Sequence, residues 1–342
     1  IVAKDWVDHT SSSSHHRTRT APHRPGCLKR ADLDMSALDN LVSCLLQCCS
    51  HDNSVRQSAE QQLRSAGTTS GFGNALVIVS LDQSRPLPAR QLAAVYLKQF
   101  LKEYWSSTKE CRFLPQEKLV ARQQLLTGLR DPSRLMRTAF GLCVAKIAKE
   151  DWPEEWPDLF DHLLAGIDSG NAYHVLGSVR CMSLFCDWLD DITVPKLAPG
   201  LFPALTKIIS DDVSFGPQTR RYAGSVVKTC VTLLSHMRGN PEMPAFQVLA
   251  QGAQQWLGPL LNTLTPMSWQ RQQQWYQHIV QSGQPMAEDS NVCRGYGVQI
   301  ESLHTMSVLV GELHALLGTE TRRVFMTIWQ FTEQVIPLYV NQ

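Results

Sequence analysis

The feature that most constrains this chain is a recurrence: apolar residues return at helical spacing, stop at a short polar break, and start again. Leu38, Leu41, Val42, Leu45 and Cys48 form one stripe ended at Ser50 to Asn53, and Val55, Ala59 and Leu63 form the next, ended by Gly67. Phe72, Leu76 and Val79 mark a third helix, and the break at Gln83 to Pro88 leads into a fourth. Alternation of period two, the mark of a half-buried strand, is almost absent. The chain is therefore expected to be all-α and built from antiparallel helix pairs.

The second helices of successive pairs are expected near residues 53, 88, 132, 171 and 216, a period of about 35 to 45 residues that brackets the HEAT and armadillo repeats. Pairs repeating in this way bury one face on each neighbour, so the core runs along the stack. The expected fold is a right-handed α-solenoid of HEAT repeats. Pro115 and Asp131-Pro132 open the helices of the third pair, with Leu119, Leu125, Leu126 and Leu129 on one and Met136, Phe140, Cys143 and Ile147 on the other. In Asp151 to Leu159, Pro157 fits a first helical turn and not an interior position, so the next helix is expected to begin there with Trp152 and Trp156 packed at the joint. Further stripes comprise Val175, Val179, Met182, Phe185 and Leu189, then Leu197 to Ile208 after Pro195, then Ala223, Val226, Cys230, Leu233 and Met237.

The longest amphipathic stretch is Arg90 to Trp105, RQLAAVYLKQFLKEYW. Ala93, Leu97, Phe100 and Tyr104 recur as a packing row. Arg90, Ala94, Lys98 and Lys102 fall at steps of four on a second row with three positive charges. A charged row on one helix is most often a solvated face.

Composition narrows the function classes. Lys and Arg total 32 against 31 Asp and Glu, which does not provide the basic footprint of a dedicated nucleic-acid binder. No apolar run reaches the roughly 20 residues of a membrane span. Cys44, Cys48, Cys49, Cys143, Cys181, Cys186 and Cys230 sit inside helical patterns and read as reduced thiols, which points to cytosol or nucleus. Cys44 and Cys48 lie one turn apart, but no CxxC pair or histidine cluster completes a metal site, and Gly295-Tyr296-Gly297 lacks the third glycine of a phosphate loop. No catalytic constellation, metal or cofactor is expected, and the chain reads as a binding protein and not an enzyme.

Residues 1–34 combine a Ser/His/Arg/Pro run with no apolar periodicity and read as a disordered leader, with Met35 as a native start. Residues 35–110 hold the first repeats, 111–240 further HEAT repeats, and 241–342 looser ones. In the last segment Phe246 to Leu264 reads as a helix, Gln270 to Asp289 as a loop or surface helix, and Val298 to Leu317 as a resumed helix. The heptad-like Val324, Ile328, Phe331, Val335 and Leu338 run to the end without a polar cap, so the chain reads as cut off.

AEQQL at Ala59 to Leu63, RQLAAVYLKQFLKEYW with its Leu-Lys-Gln, and Trp-Pro-x-Leu at Trp156 to Leu159 occur in order at the right separations. Together they resemble the amino-terminal domain of the karyopherin-β nuclear transport receptors. The resemblance implies a cargo carrier that shuttles between cytoplasm and nucleus, touches Phe-Gly nucleoporins, and handles cargo under control of GTP-bound Ran. It places the Ran contact on the second helices of the first repeats, in the region 35–110. Here that means Arg90, Lys98, Gln99 and Lys102, with Gln99 standing where many relatives have Asn. Leu45 to Ser50, Arg90 to Phe100 and Ile147 to Phe160 narrow the resemblance to a branch whose implied cargoes are core histones, with some ribosomal proteins and actin. Carriers of basic cargo are usually acidic, whereas residues 35–342 are nearly neutral, so acidic loops are expected in further chain. The competing expectation is a HEAT-repeat scaffold or adaptor without Ran dependence.

Overall fold

The computed structural model describes residues 35–106, 112–190, 192–236, 244–268, 270, 274, 277, 281 and 297–340. Among them there is no strand. The helices are α1 (Met35–Cys48), α2 (Asn53–Ala66), α3 (Phe72–Leu81), α4 (Leu87–Tyr104), α5 (Pro115–Thr127), α6 (Arg134–Asp151) and α7 (Leu159–Ile167). They continue with α8 (Ala172–Phe185), α9 (Thr193–Ser210), α10 (Pro217–Ser235), α11 (Pro244–Thr263), α12 (Gly297–Leu317) and α13 (Glu320–Val340). The fold is an all-α stack of HEAT repeats, as the recurrence implies. The second helices of the first five pairs begin at Asn53, Leu87, Arg134, Ala172 and Pro217, each within two residues of expectation.

The chain divides into two compact units between Pro157 and Asp158. In the first, α1, α3 and α5 are the first helices of three pairs, and α2, α4 and α6 the second; α4 packs on α3 within its pair and on α6 of the next. Its core is Leu45, Leu76, Leu97, Leu101, Leu125, Phe140 and Ile147, all fully buried. In the second unit α10 lies between α8 and α12, while α9 packs on α11. Phe202 of α9 and Trp256 of α11 meet edge to face at 4.3 Å.

Local chemistry explains the starts. The Asp52 carboxylate accepts from the Ser54 and Val55 amides to open α2, and Asn171 accepts from Tyr173 and His174 to open α8. Pro115 and Pro217 occupy first-turn positions in α5 and α10.

A second device recurs that hydrophobic periodicity does not show. Arg56, Arg90, Arg137 and Arg220 are each the fourth residue of a second helix. Each donates to a backbone carbonyl before its own helix: Arg56 Nη1 to Ser50 at 3.3 Å, Arg90 Nε to Ser80 at 3.0 Å, Arg137 Nη1 to Asp131 at 2.6 Å, and Arg220 Nε to Ile209 at 3.0 Å. Ser80 and Ile209 lie in the last turns of α3 and α9, whose final carbonyls have no intrahelical partner, and Ser50 and Asp131 lie in the connections just before α2 and α6; in each case a long cationic side chain from the next helix supplies the donor. α8 carries Val175 at this position instead.

Several expectations are corrected. α4 begins at Leu87 because Pro88 is accommodated in its first turn. α7 begins at Leu159 and not Pro157, because Glu155 and Trp156 donate back to the Asp151 carbonyl and close a turn there; Trp156 is buried. α9 begins at Thr193, whose amide is capped by Asp190 at 2.7 Å, and it accommodates Pro199 and Pro203 on an exposed face. Leu119 and Val55 are exposed, since α5 packs through Ala121, Arg122, Leu125 and Leu126 and α2 through Ala59, Leu63 and Ala66. Leu234, not Leu233, is the buried residue near the end of α10. Met237, the leader 1–34 and most of Gln270 to Asp289 lie outside the described residues.

Candidate interaction surface

The two rows read from α4 differ in how well they hold. The packing row is buried at Ala93, Leu97 and Phe100 and half-buried at Tyr104. The cationic row splits. Steps of four residues rotate about 40° each around an α-helix, so a row of four wraps about a third of the circumference and cannot keep one environment. Arg90 is 5% exposed and Ala94 fully buried, whereas Lys98 and Lys102 are exposed.

Arg90 is consequently an interior residue and no surface contact. Its guanidinium donates to Asp131 Oδ2 and to the Ser80 carbonyl. Asp131 Oδ1 in turn accepts the Ser133 amide at 2.8 Å at the start of α6. A buried arginine with a carboxylate and a carbonyl links the second repeat to the third, and removing it from that cluster would strand Asp131.

The exposed stripe of α4 is Val95, Lys98, Gln99, Lys102 and Glu103. Val95 is 58% exposed, an apolar residue in the middle of a polar face. Gln99 Nε2 donates to Glu103 Oε1 one turn on. Neither Lys98 nor Lys102 is ion-paired with a carboxylate among the described residues. Lys98 lies close enough to Cys143 of α6 for its charge to oppose the burial that pushes that thiol up to about 12.

This half of the helix is held firmly from beneath. Phe100 packs edge to face on Phe72 at 5.6 Å and on Phe113 at 5.5 Å, and Trp105 on Phe113 at 4.9 Å. The fully buried Trp105 donates its indole N–H to Asp151 Oδ2 at 3.0 Å, and Arg122 Nε reaches the same oxygen at 2.8 Å. Arg122 Nη1 also donates to the Glu155 carbonyl at 2.6 Å. The ends of α4 and α6 and the middle of α5 are thus tied through one carboxylate, a coupling that sequence spacing alone does not reveal.

No group of three metal-ligating side chains occurs among the described residues. The buried thiols of Cys143, Cys181 and Cys230 are held protonated by desolvation. No described helix is long and apolar enough to cross a membrane.

Comparison with known proteins shows which domain α4 falls in. Residues 59–131, which contain all of α4, match the Importin-beta N-terminal domain. Importin-9 of Drosophila melanogaster is 22% identical over 317 residues, covering 91% of this chain and 29% of that protein; the chain spans under a third of that relative's length. The crystal structure of Kap121p superposes with a TM-score of 0.57 at 17% identity, covering 89% of this chain and 25% of that one. Kap95p, from a structure describing how its binding drives the switch loops of RanGDP into the GTP-bound conformation, superposes with a TM-score of 0.51 at 16% identity, over 83% of this chain and 35% of that one. With the Importin-beta N-terminal domain matched at the position of α4, an importin relative similar along 91% of this chain and a HEAT-repeat stack like that of Kap121p, the chain carries an importin-β amino-terminal domain within the fold of the karyopherin-β receptors.

Proposed function

We propose that this chain works as a nuclear import receptor that binds GTP-loaded Ran through the exposed face of α4. The observation that carries the reading is the position of Lys98 and Lys102: two cations without carboxylate partners among the described residues, beside Gln99, on a rigidly supported helix inside the importin-β domain match. Residues 35–110 are the Ran-binding repeats in this reading, and 111–240 and 241–342 continue the HEAT stack. Cargo is a protein: core histones first, with ribosomal proteins and actin as further candidates. Phe-Gly nucleoporins are the contacts during passage, and the protein shuttles between cytoplasm and nucleus. Kap95p, of the same fold, acts on Ran's switch loops, which supports Ran as the regulator.

Calorimetric titration of the Lys98→Glu/Lys102→Glu variant against GTP-loaded Ran tests this, with circular dichroism as the folding control. Replacing two interfacial cations with anions is expected to weaken binding by about 2 to 5 kcal/mol and to abolish most of its salt sensitivity. Unchanged affinity in a folded variant would return the row to a solvated face. A scaffold without Ran dependence would bind GTP- and GDP-loaded Ran equally poorly.

A further inference from the structure

The interaction surface on α4 leaves the thiol run at the end of α1 without a role. Cys44, Cys48 and Cys49 are buried, half-buried and exposed in turn. Cys44 Sγ donates to the Ala59 carbonyl of α2 at 3.4 Å and lies 3.8 Å from Gln62 Oε1. The Cys48 thiol in turn donates to the Cys44 sulfur. The two sulfurs are therefore neighbours, at a joint also faced by Glu60 and Arg64 of α2 and Tyr96 of α4. Cys48 is the last residue of α1. Just beyond it the Cys49 and Ser50 amides close the turn on the Leu46 and Gln47 carbonyls at 3.0 Å, so the pair is reached from the open end of the helix.

Side chains one turn apart on a helix have Cβ atoms about 5–6 Å apart, whereas a disulfide needs about 3.5–4.5 Å. The gap is too wide for a direct sulfur–sulfur bond and suits a bridge of one atom. Burial, with Cys44, Glu60 and Cys49 beside it, also pushes the Cys48 thiol up to about 11, which disfavours its attack on an oxidant. Structural zinc asks for four ligands, and no group of three metal-ligating side chains occurs among the described residues. Soft thiolates suit copper(I), an ion that is stable with two sulfur ligands in a line. We infer that Cys44 and Cys48 form a two-coordinate copper(I) site at the end of α1. Each thiol gives its proton to solvent as its sulfur takes the ion, and the metal stays in its reduced state throughout. Gln62, beside Cys44, then turns its amide N–H to the sulfur that has lost its own proton. Arg64, whose charge reaches Tyr96 at the same joint, offsets the negative charge of the bis-thiolate complex.

The test uses the whole chain with the cysteines outside the described residues replaced, Cys27→Ser, Cys111→Ser and Cys293→Ser. Copper(I) is supplied as its acetonitrile complex in the absence of oxygen, in competition with the chromophoric chelator bicinchoninate. A single copper(I) per chain is expected to be withheld from the chelator. Cys44→Ser and Cys48→Ser are each expected to weaken that retention at least about tenfold, and Cys49→Ser to leave it unchanged. X-ray absorption of the loaded chain is expected to show two sulfur neighbours. Circular dichroism checks folding; if the Cys44→Ser chain does not fold, Cys48→Ser, at a half-buried place, decides. Retention within about twofold of the parent chain in a folded Cys48→Ser variant overturns the site. An equal loss in Cys49→Ser, a third sulfur at the metal, or no copper(I) held against the chelator overturns it as well.

Discussion

α4 and α10 share an interior and differ outside. Each places a buried arginine at its fourth residue, Arg90 and Arg220, on a carbonyl at the end of the preceding helix. Each follows it one turn later with a buried small residue, Ala94 or Gly224, where the next second helix approaches closely; a Cβ on Gly224 would stand 3.2 Å from Glu301 of α12. Outward, α4 shows Val95, Lys98 and Lys102 where α10 shows Ser225, Lys228 and Thr232. Even the shared lysine differs, because Lys228 is paired with Glu301 at 3.0 Å while Lys98 faces solvent. The stack dictates what lies between helices and leaves the outer face free, so the outer face is where repeats acquire different partners.

That contrast breaks first if the interior is not what holds the repeats. Asp151→Ala removes the shared acceptor of Trp105 and Arg122 and leaves the indole N–H and the Arg122 Nε buried without it, the guanidinium keeping only Glu155. A loss of about 3 to 5 kcal/mol is expected, read by guanidinium unfolding with tryptophan fluorescence; a loss below about 1 kcal/mol would mean the network is incidental. The next test separates tight interiors from tolerant ones. A Cβ at Gly73 would lie 2.3 Å from the buried Phe113 ring, so Gly73→Ala is expected to cost about 1 to 3 kcal/mol despite better helix propensity. Gly224→Ala meets only a near contact, and a propensity gain of up to about 1 kcal/mol offsets it, leaving stability near wild type. Equal losses at the two glycines would erase the distinction.

On the outside, effects on folding are expected to be small. Lys98→Glu/Lys102→Glu is expected to change unfolding free energy by no more than about 0.5 kcal/mol, so its large effect is reserved for binding. A thermal melt that collapses would reassign these lysines to the interior. The smallest effect concerns pH. The hydrogen bond from Lys146 holds the Glu150 carboxyl below its ordinary range. A depressed folded-state value means that its contribution is present above the ordinary carboxylate pKa and fades as pH falls through the depressed one. The pair is partly exposed, so the contribution is only about 0.3 to 0.5 kcal/mol. Lys146→Met is expected to flatten that small acid-side slope in unfolding experiments, and an unchanged slope would show that the pair contributes nothing.

The sequence by itself determined the fold class, the starts of the second helices and the packing face of α4, because hydrophobic periodicity and helix-start chemistry are local and are decided within a few turns. Ala93, Leu97 and Phe100 were legible as core, and Lys98 and Lys102 as an outer row. Only the tertiary structure decided the fate of Arg90, which pattern and resemblance alike put on the surface. Its environment depends on Asp131, 41 positions away, and on the rotation of an i+4 row into the neighbouring repeat. The same is true of Trp105, Arg122 and Asp151, which meet only when three helices are stacked. A charged residue's partner is a matter of long-range geometry, and no local pattern carries that information.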